Sequence, residues 1–168
     1  MKSKVNRQTV DLSGHPDLVV IYFGMRVNSL GGLKTVISTG PRINAAVAAK
    51  PDGLLLHEGL LFSLFPLHAG MRQYWRDFES MERWSRSLPH QAWWKNFLND
   101  SGGTGFWHET YFMRGGMEVI YDDIPNRIGF GQFAPVPVAR GPMFSSRSRL
   151  KLSGEPALPA PVPESEES

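Results

Sequence analysis

The amino-acid sequence predicts an α+β fold built on a ferredoxin-like unit, in which an antiparallel sheet carries helices on one face. The prediction depends on two observations. Apolar residues alternate with the two-residue period of strands in some segments and recur at helical spacing in others. Along the 168 residues these segments follow the order strand, helix, strand, strand, helices, strand, strand, with Gly and Pro at many of the junctions.

The first strand is predicted at residues 18–27, where bulky apolar side chains occupy every second position. A helix follows it, because Asn28 or Ser29 can cap a helix and apolar residues then recur at helical spacing. Gly40-Pro41 is expected to kink or restart this helix, since proline is tolerated in the first turn of a new helix.

Two strands and two helices come next. The strands are predicted at residues 53–65 and 71–76, with a turn between them. Asp77 can cap a helix that begins at Phe78. The following helix begins at Pro89, and four of its side chains share one face because they are spaced i, i+3, i+4 and i+7. These four are His90, Trp93, Trp94 and Phe97.

The last two strands are predicted at residues 106–113 and 117–124, as a hairpin around Gly115-Gly116. A sheet with helices on one face leaves its other face open. Packing of two copies, sheet on sheet, is the simplest way to cover that face. We therefore expect a homodimer.

Beyond residue 125 the chain becomes rich in Gly, Pro and Ser, and its end is rich in Pro and Glu. Such compositions favour surface segments and disorder over a packed core. We predict a ferredoxin-like domain at residues 1–135, a surface-wrapping extension at 136–153 and a disordered acidic tail at 154–168.

Composition excludes several classes of protein. The chain has no cysteine, which rules out disulfides, thiolate catalysis and iron–sulfur ligation. Its 18 basic residues are scattered rather than arranged in a stripe, so nucleic acid is not an expected partner. The apolar stretches are shorter than the roughly 18 residues of a membrane span, and no secretion signal is visible. We predict a soluble, cytoplasmic protein.

Several short motifs resemble those of one protein family. They are Tyr74-Trp75-Arg76, His90 with Trp93, the run from Trp107 to Tyr111, Glu118 with Ile120-Tyr121, and Gly24 to Asn28. On these residues the chain is similar to the monooxygenase-like proteins related to the fumagillin-pathway oxygenase. These belong to the dimeric α+β barrel superfamily of antibiotic-biosynthesis monooxygenases. The resemblance implies oxidation of a small, mostly apolar organic molecule with dioxygen, as in secondary metabolism.

Two histidines are the candidate catalytic bases. His90 lies in the first turn of a helix, where the positive end of the helix dipole disfavours imidazolium. A neutral imidazole can act as a base, a hydrogen-bond partner or a haem ligand. The alternative for His90 is a partly buried side chain hydrogen-bonded at the start of its helix. His108 lies on a strand, with Glu109 on the opposite face, and the sequence does not decide which of the two lines the pocket.

Phenol and guanidinium groups can orient a substrate or stabilise an anion through charge-assisted hydrogen bonds. We predict this role for Arg26, Tyr74 and Tyr121. Arg76 could act in the same way, but it is expected rather to form an ion pair with Asp77, Glu109 or Glu118. Other side chains are expected to line a substrate pocket. They are Tyr22, Trp75, Trp93, Trp94, Trp107, Glu109 and Tyr111.

Three functions stay open at this point. One is a cofactor-independent monooxygenase. The second is a haem enzyme of the same superfold, either aldoxime-dehydratase-like or haem-degrading, with His90 or His108 as axial ligand. The third is a non-catalytic binder of a small molecule. A non-haem metal site is not expected, because His57-Glu58 and His108-Glu109 are strand neighbours that diverge. The run from Gly129 to Ala134 matches a dinucleotide fingerprint only formally, since no crossover helix or downstream strand follows it.

Overall fold

A computed structural model of the chain describes residues 6–88, 90–113, 117–119, 121–122, 129–144 and 148–149. The chain forms two compact units. We call residues 17–112 the sheet unit, and residues 1–16 with 113–168 the terminal unit. In chain order the elements are β1 (Arg7–Gln8), β2 (Val19–Val27), α1 (Leu30–Ala48), β3 (Leu54–Ser63), β4 (His68–Trp75), α2 (Phe78–Ser85), α3 (His90–Asn99), β5 (Thr104–Phe112) and β6 (Tyr121–Asp122), with 3-10 turns at Gly129–Gln132 and Gly141–Phe144.

The sheet unit contains a four-stranded antiparallel sheet in the order β3-β4-β2-β5. β2 pairs with β4 on one side and with β5 on the other, and β3 pairs with β4 at the edge. The helix α1 connects β2 to β3, and α2 and α3 connect β4 to β5. This is the arrangement of a ferredoxin-like unit, and it confirms the predicted fold class.

The helices pack on one face of this sheet, which we call the helix face. Residues paired directly across antiparallel strands point to the same face. Val19 is therefore on the same face as its partners Trp75 and Phe112. Val19 and Trp75 are almost fully buried and form the core with Met81 of α2. The opposite side of the sheet is the helix-free face.

The helix α1 is one continuous helix through Pro41, so the predicted restart at this proline is wrong. A proline inside a helix removes one backbone hydrogen bond. Here the stripe that α1 presents to the sheet continues across the proline, because Val36 and Ile43 contact the same cavity lined by Phe23 and Met25. Packing on one surface holds both halves of the helix in line.

The helix α2 begins as its cap predicts. The backbone of Asp77 is extended, and its Oδ1 accepts a hydrogen bond of 2.7 Å from the amide of Ser80. This bond satisfies one of the free amides at the helix start. The helix turns Met81 and Trp84 towards Trp75. The next helix, α3, is described from His90 onwards, and the predicted start at Pro89 lies outside the described residues.

The terminal unit joins the beginning of the chain to residues that follow the sheet. β1 pairs with β6, the amide of Thr9 donates to the carbonyl of Pro137, and the amide of Ala139 donates to the carbonyl of Arg7, both at 2.9 Å. Val10, Leu12 and Ala139 are buried. The N-terminal segment is therefore part of a packed structure, although its sequence looks polar.

The predicted hairpin of residues 106–113 with 117–124 is wrong in its pairing. β5 pairs with β2, and β6 pairs with β1. A hairpin signal is local, whereas the partner of β6 comes from the start of the chain, which the local pattern does not reveal. The expected turn at Gly115-Gly116 and the predicted tail at 154–168 lie outside the described residues.

None of the helices in the described residues combines the length and apolarity that crossing a bilayer requires.

Candidate functional site

The sheet register divides the predicted site residues between two faces. His108 is paired with Phe23, and Trp75 with Val19, so both lie on the helix face. Tyr22 is paired with Glu109 on the other face. The other predicted residues of the helix-free face are Tyr74, Arg26, Trp107 and Tyr111. The structure thus resolves the orientation of β5: His108 faces the helices and Glu109 does not.

Aromatic rings form a connected layer between the sheet and the helices α2 and α3. Trp75 of β4 contacts Trp84 with a centroid separation of 5.2 Å. The imidazole of His90 lies between Trp84, at 3.8 Å, and Trp93, at 4.8 Å. The helical spacing of His90 and Trp93 brings these two rings to the same side of α3.

His90 has an unsatisfied nitrogen inside this layer. Its side chain is half-buried, and the buried Nδ1 has no hydrogen-bond partner within the described residues. A buried polar atom without a partner costs free energy and calls for an explanation. Burial lowers the pKa of His90 below its ordinary value, since the surrounding rings do not stabilise a charge as water does. His90 is therefore a neutral imidazole with a free nitrogen.

His108 differs from His90 in exposure. It lies on the edge strand β5 and is exposed to solvent. Its ring is 6.1 Å from that of Phe106, which in turn is 5.8 Å from Phe97 of α3. The two predicted bases thus lie on the same face of the sheet. The side chain of Trp94 lies outside the described part of the chain.

A hydrogen-bonded chain that the sequence did not reveal runs along the helix face. Trp75 Nε1 donates to Gln73 Oε1 at 3.1 Å, and Gln73 Nε2 is 3.1 Å from His57 Nδ1. Gln73 is 1% exposed. The two-residue spacing of Gln73 and Trp75 could have placed them on one face, but only the pairing of β3 with β4 brings His57 to them.

Arg72 is the central charge of the helix-free face. Its guanidinium pairs with Glu58 at 2.6 Å and donates to the hydroxyl of Tyr22 at 3.0 Å. It also lies over the rings of Tyr22 and Tyr74. Burial opposes its charge, but the hydrogen bonds to Tyr22 and Glu58 outweigh this effect and raise the pKa of Arg72. The sequence did not indicate this residue, although Glu58 and Arg72 are paired across the strands.

A second cluster on the helix-free face surrounds Trp107. Its indole Nε1 donates to His68 Nε2 at 2.7 Å, and the His68 ring stacks on Phe62 at 4.7 Å. Further along β5, the hydroxyl of Tyr111 donates to Glu109, which raises the pKa of Tyr111. These contacts engage Trp107, Glu109 and Tyr111, the residues of the aromatic run that point to the helix-free face.

The register of the sheet does not bring Arg26 and Tyr74, two of the predicted orienting residues, to the face that carries His108. Arg26 is exposed and donates to Asn28 Oδ1 at 3.1 Å, and Tyr74 is buried on the helix-free face. Tyr121 belongs to the terminal unit, where its hydroxyl accepts a hydrogen bond from the amide of Gly131. The strand register therefore does not support an orienting role for Arg26 and Tyr74 beside His90.

Other residues singled out in the sequence have structural partners. Arg76 pairs with Asp77 and with Asp52, as expected for a surface ion pair. Glu118 of the Glu-x-Ile-Tyr motif binds the buried Arg149 at 2.6 Å. A Cβ atom at Gly131 would lie 3.2 Å from the ring of Tyr121, so the close approach of this ring favours glycine at that position.

A small cavity of about 70 Å³ lies between α1 and the sheet. Ten residues line it, and none belongs to the predicted site: Phe23, Gly24, Met25, Val36, Thr39, Gly40, Ile43, Ala69, Gly70 and Met71. Across the described ranges, no group of three His, Asp or Glu residues is placed to hold a metal ion. The chemistry available on the helix face is that of neutral imidazoles, an amide and aromatic rings.

Comparison with known families gives one match. The family model described as Monooxygenase af470-like matches residues 18–130, which is more than half of the chain. The matched range contains the motifs at Tyr74, His90 and Trp107 to Tyr111, and it confirms the resemblance inferred from them. No curated protein matches the chain in sequence.

Solved structures share the fold at low sequence identity. An aldoxime dehydratase (OxdRE) in complex with butyraldoxime is 22% identical, with a TM-score of 0.66, over 88% of this chain and 43% of that chain. A second aldoxime dehydratase is 20% identical, with a TM-score of 0.65, over 88% and 44%. SnoaB, a cofactor-independent oxygenase from Streptomyces nogalater, is 15% identical, with a TM-score of 0.45, over 56% and 91%. The chain spans less than half the length of both aldoxime dehydratases.

Proposed function

The chain belongs to the monooxygenase af470-like family, and from this premise we propose that it is a monooxygenase-like oxidoreductase that acts on a hydrophobic small organic molecule. The observation that carries the proposal is the unpartnered Nδ1 of His90, buried between Trp84 and Trp93. A neutral imidazole in an aromatic layer suits proton removal from an apolar substrate. The ring of Trp93 would contact that substrate, whereas Trp75 is 0% exposed and belongs to the core.

The reaction that fits these groups needs no metal. His90 takes the proton of an activated phenol or enol, and the resulting anion transfers an electron to dioxygen. Combination of the two radicals forms a carbon–oxygen bond, and the proton returns to give a hydroperoxide. Loss of water then leaves a carbonyl group. One oxygen atom of dioxygen stays in the product and the other leaves as water, so the substrate supplies all the electrons.

His108 is the second candidate base in this proposal. It lies on the same face of the sheet as His90 but is exposed, so its imidazole keeps contact with water. Burial keeps the His90 imidazole unprotonated, which is the form that can accept a proton. His90 is therefore the base that we assign, and His108 is the residue against which this assignment is tested.

Haem is the alternative cofactor. The free Nδ1 of His90 has the chemistry of an axial ligand, a neutral imidazole nitrogen. His90 is therefore the described residue that would hold a haem, whose iron would supply Lewis-acid and redox chemistry, and we assign no step to it.

Two copies of the chain would associate through the helix-free face. Tyr74 on this face is buried, but Tyr22 and Trp107 are only partly covered and Tyr111 is 48% exposed. Trp107, Glu109 and Tyr111 would then line the contact between copies rather than the substrate site. A cytoplasmic location belongs to the same proposal.

Oxygen consumption by the purified protein tests the function. Candidate phenols and enols are offered in turn, and uptake of dioxygen is measured with the wild type, His90→Gln and His108→Gln. Loss of a general base lowers the rate by roughly 10²- to 10⁴-fold. We expect this loss for His90→Gln, while the matched control His68→Gln, on the other face, keeps the wild-type rate.

The possible results separate the three functions. Uptake that survives in both His90→Gln and His108→Gln contradicts the base assignment. Tight binding of the candidate molecules without any uptake indicates a carrier. A Soret band after titration with haem indicates the haem enzyme instead.

A further inference from the structure

Three of the most exposed apolar side chains of the sheet unit lie at one end of its sheet. Leu30 is 99% exposed, Leu64 is 78% exposed and Phe65 is 96% exposed. Single apolar side chains are common on protein surfaces, but several uncovered ones together mark a contact with another molecule. The proposed reaction does not use these three residues. We call them the apolar end.

The pairing of the strands brings the three residues to the same end of the sheet. Leu64 and Phe65 lie in the turn between β3 and β4, and Leu30 is the first residue of α1, which follows β2. The amide of Val27, the last residue of β2, donates to the carbonyl of Leu67 at 2.9 Å. The turn therefore lies beside the chain segment that leads into α1.

The turn has a defined shape although its apolar side chains are uncovered. Ser63 Oγ donates to the carbonyl oxygen of Pro66 at 2.7 Å, and Ser63 pairs with His68 across the two strands. Phe65, in contrast, has almost none of its apolar surface removed from water by its own protein. Burial of that surface by a partner would therefore stabilise a complex.

The charges near the apolar end are mostly positive. Arg26 and Lys34 are both exposed, and α1 contains no acidic residue. In the part of the chain that the structure describes, Asp100 in the loop before β5 is the acidic residue at this end. Its carboxylate accepts a hydrogen bond of 2.8 Å from the amide of Gly102. An anionic partner would meet two cations here and one carboxylate.

The two cations also differ from an arginine at the opposite end of the sheet. There Arg76 forms ion pairs with Asp52 and Asp77. Within the described residues, neither Arg26 nor Lys34 forms an ion pair, and Arg26 donates only to the neutral side-chain oxygen of its neighbour in the β2–α1 segment. The positive charge beside the apolar end is therefore not neutralised by the protein itself.

We propose that the apolar end binds the surface of a lipid membrane that contains anionic headgroups. Leu30, Leu64 and Phe65 would enter the boundary between headgroups and acyl chains, while Arg26 and Lys34 would contact the anionic headgroups. Protruding side chains enter a fluid interface without a preformed socket, which a folded protein partner would have to supply. The proposal goes beyond the proposed function and does not rest on it.

Vesicle binding tests the proposal with the full chain. The protein is sedimented with vesicles of phosphatidylcholine that contain about one third phosphatidylserine, and the bound fraction is measured. We expect the wild type to bind. Leu64→Ser and Phe65→Ser together should weaken binding about tenfold or more, because two apolar side chains lose their contact with lipid. The matched control Leu88→Ser, at a position that is 79% exposed between α2 and α3, should bind as the wild type does.

Removal of charge tests the contribution of the two cations. Arg26→Gln and Lys34→Gln should each weaken binding to the mixed vesicles about fivefold, and leave the weaker binding to pure phosphatidylcholine unchanged. Added salt should weaken wild-type binding to the mixed vesicles as well, since it screens charges at the surface. Equal binding by wild type and both glutamine variants overturns the role of anionic headgroups.

A fluorescent label shows whether the apolar end itself enters the lipid. The chain has no cysteine, so one introduced cysteine directs a polarity-sensitive fluorophore to a single position. On Phe65→Cys, we expect its emission to move to shorter wavelength when mixed vesicles are added, because the fluorophore leaves water. The same fluorophore on Leu88→Cys should show no change.

The possible results separate a lipid surface from other partners. Absence of wild-type binding to mixed vesicles, equal binding by the double serine variant, or unchanged emission on Phe65→Cys overturns the proposal. A double serine variant that binds vesicles normally but no longer self-associates assigns the apolar end to a contact between copies instead. Near-ultraviolet circular dichroism checks that the serine variants are folded, and the emission on Leu30→Cys decides the matter if they are not.

Discussion

The chemistry that a single residue can perform here depends on which face of its strand it occupies. His57 and Glu58 are neighbours in sequence, yet one is bonded to Gln73 on the helix face and the other to Arg72 on the opposite face. The same alternation separates His108 from Glu109. Adjacent imidazole and carboxylate groups on a strand do not form one site, which the alternation of side chains predicts.

The buried imidazoles predict how stability changes with pH. The pKa of His90 and that of His57 are lowered by burial from the ordinary 6.5. Below about pH 6.5 the unfolded chain therefore binds more protons than the folded chain, and the free energy of unfolding falls as the pH falls. We expect urea midpoints to decrease between about pH 8 and pH 5.

Substitution of His90 tests whether its buried imidazole causes the decrease in stability at low pH. His90→Gln should show a smaller loss of stability over this range than the wild type, because glutamine does not titrate. The matched control is His108→Gln, a histidine substitution at an exposed position, and its stability is compared with that of the wild type at about pH 8. Equal pH dependence in wild type and His90→Gln would contradict the assignment of a buried, neutral His90.

At the scale of elements, packing decides what local signals leave open. Pro41 and the preceding Gly40 are strong helix-breaking signals, yet α1 continues from Leu30 to Ala48. By contrast the cap at Asp77 predicts the start of α2 correctly, because capping depends on atoms within a few residues. The restart at Pro41 was wrong because the sheet surface under α1 is not visible in its local sequence.

Two glycines of α1 make a matched pair for a test of this packing. A Cβ atom at Gly32 would collide with the backbone carbonyl of Gly103, whereas one at Gly40 would meet no atom within 4 Å. Glycine inside a helix costs about 0.5–1 kcal/mol relative to alanine. We expect Gly40→Ala to raise the free energy of unfolding by about that amount and Gly32→Ala to lower it, as measured by urea unfolding. Stabilisation by both substitutions would show that the contact of α1 with Gly103 is absent.

For the whole molecule, the main prediction concerns association of two copies through the helix-free face. Sedimentation of the wild type should give twice the mass of one chain. Tyr111→Arg places a longer, charged side chain on the exposed part of that face and should shift the protein towards the single chain, since burial of a charge in an interface is costly.

Leu88→Arg is the matched control for this experiment. Leu88 is 79% exposed and lies between α2 and α3, away from the sheet strands. Its substitution should leave the mass of the assembly unchanged. A wild type that sediments as a single chain at all accessible concentrations would refute the predicted dimer.

The sequence by itself determined the order of the elements in the sheet unit, the cap of α2, the common face of His90 and Trp93, and the membership of the family. These features depend on periodicity, capping and short motifs, which are local properties of the sequence. Only the tertiary structure decided the partner of β6, the orientation of β5, and the chain that links His57 to Trp75. Each of these depends on which strands lie side by side, and strand pairing joins residues distant in sequence. The candidate bases were therefore predictable as residues, while their surroundings were not.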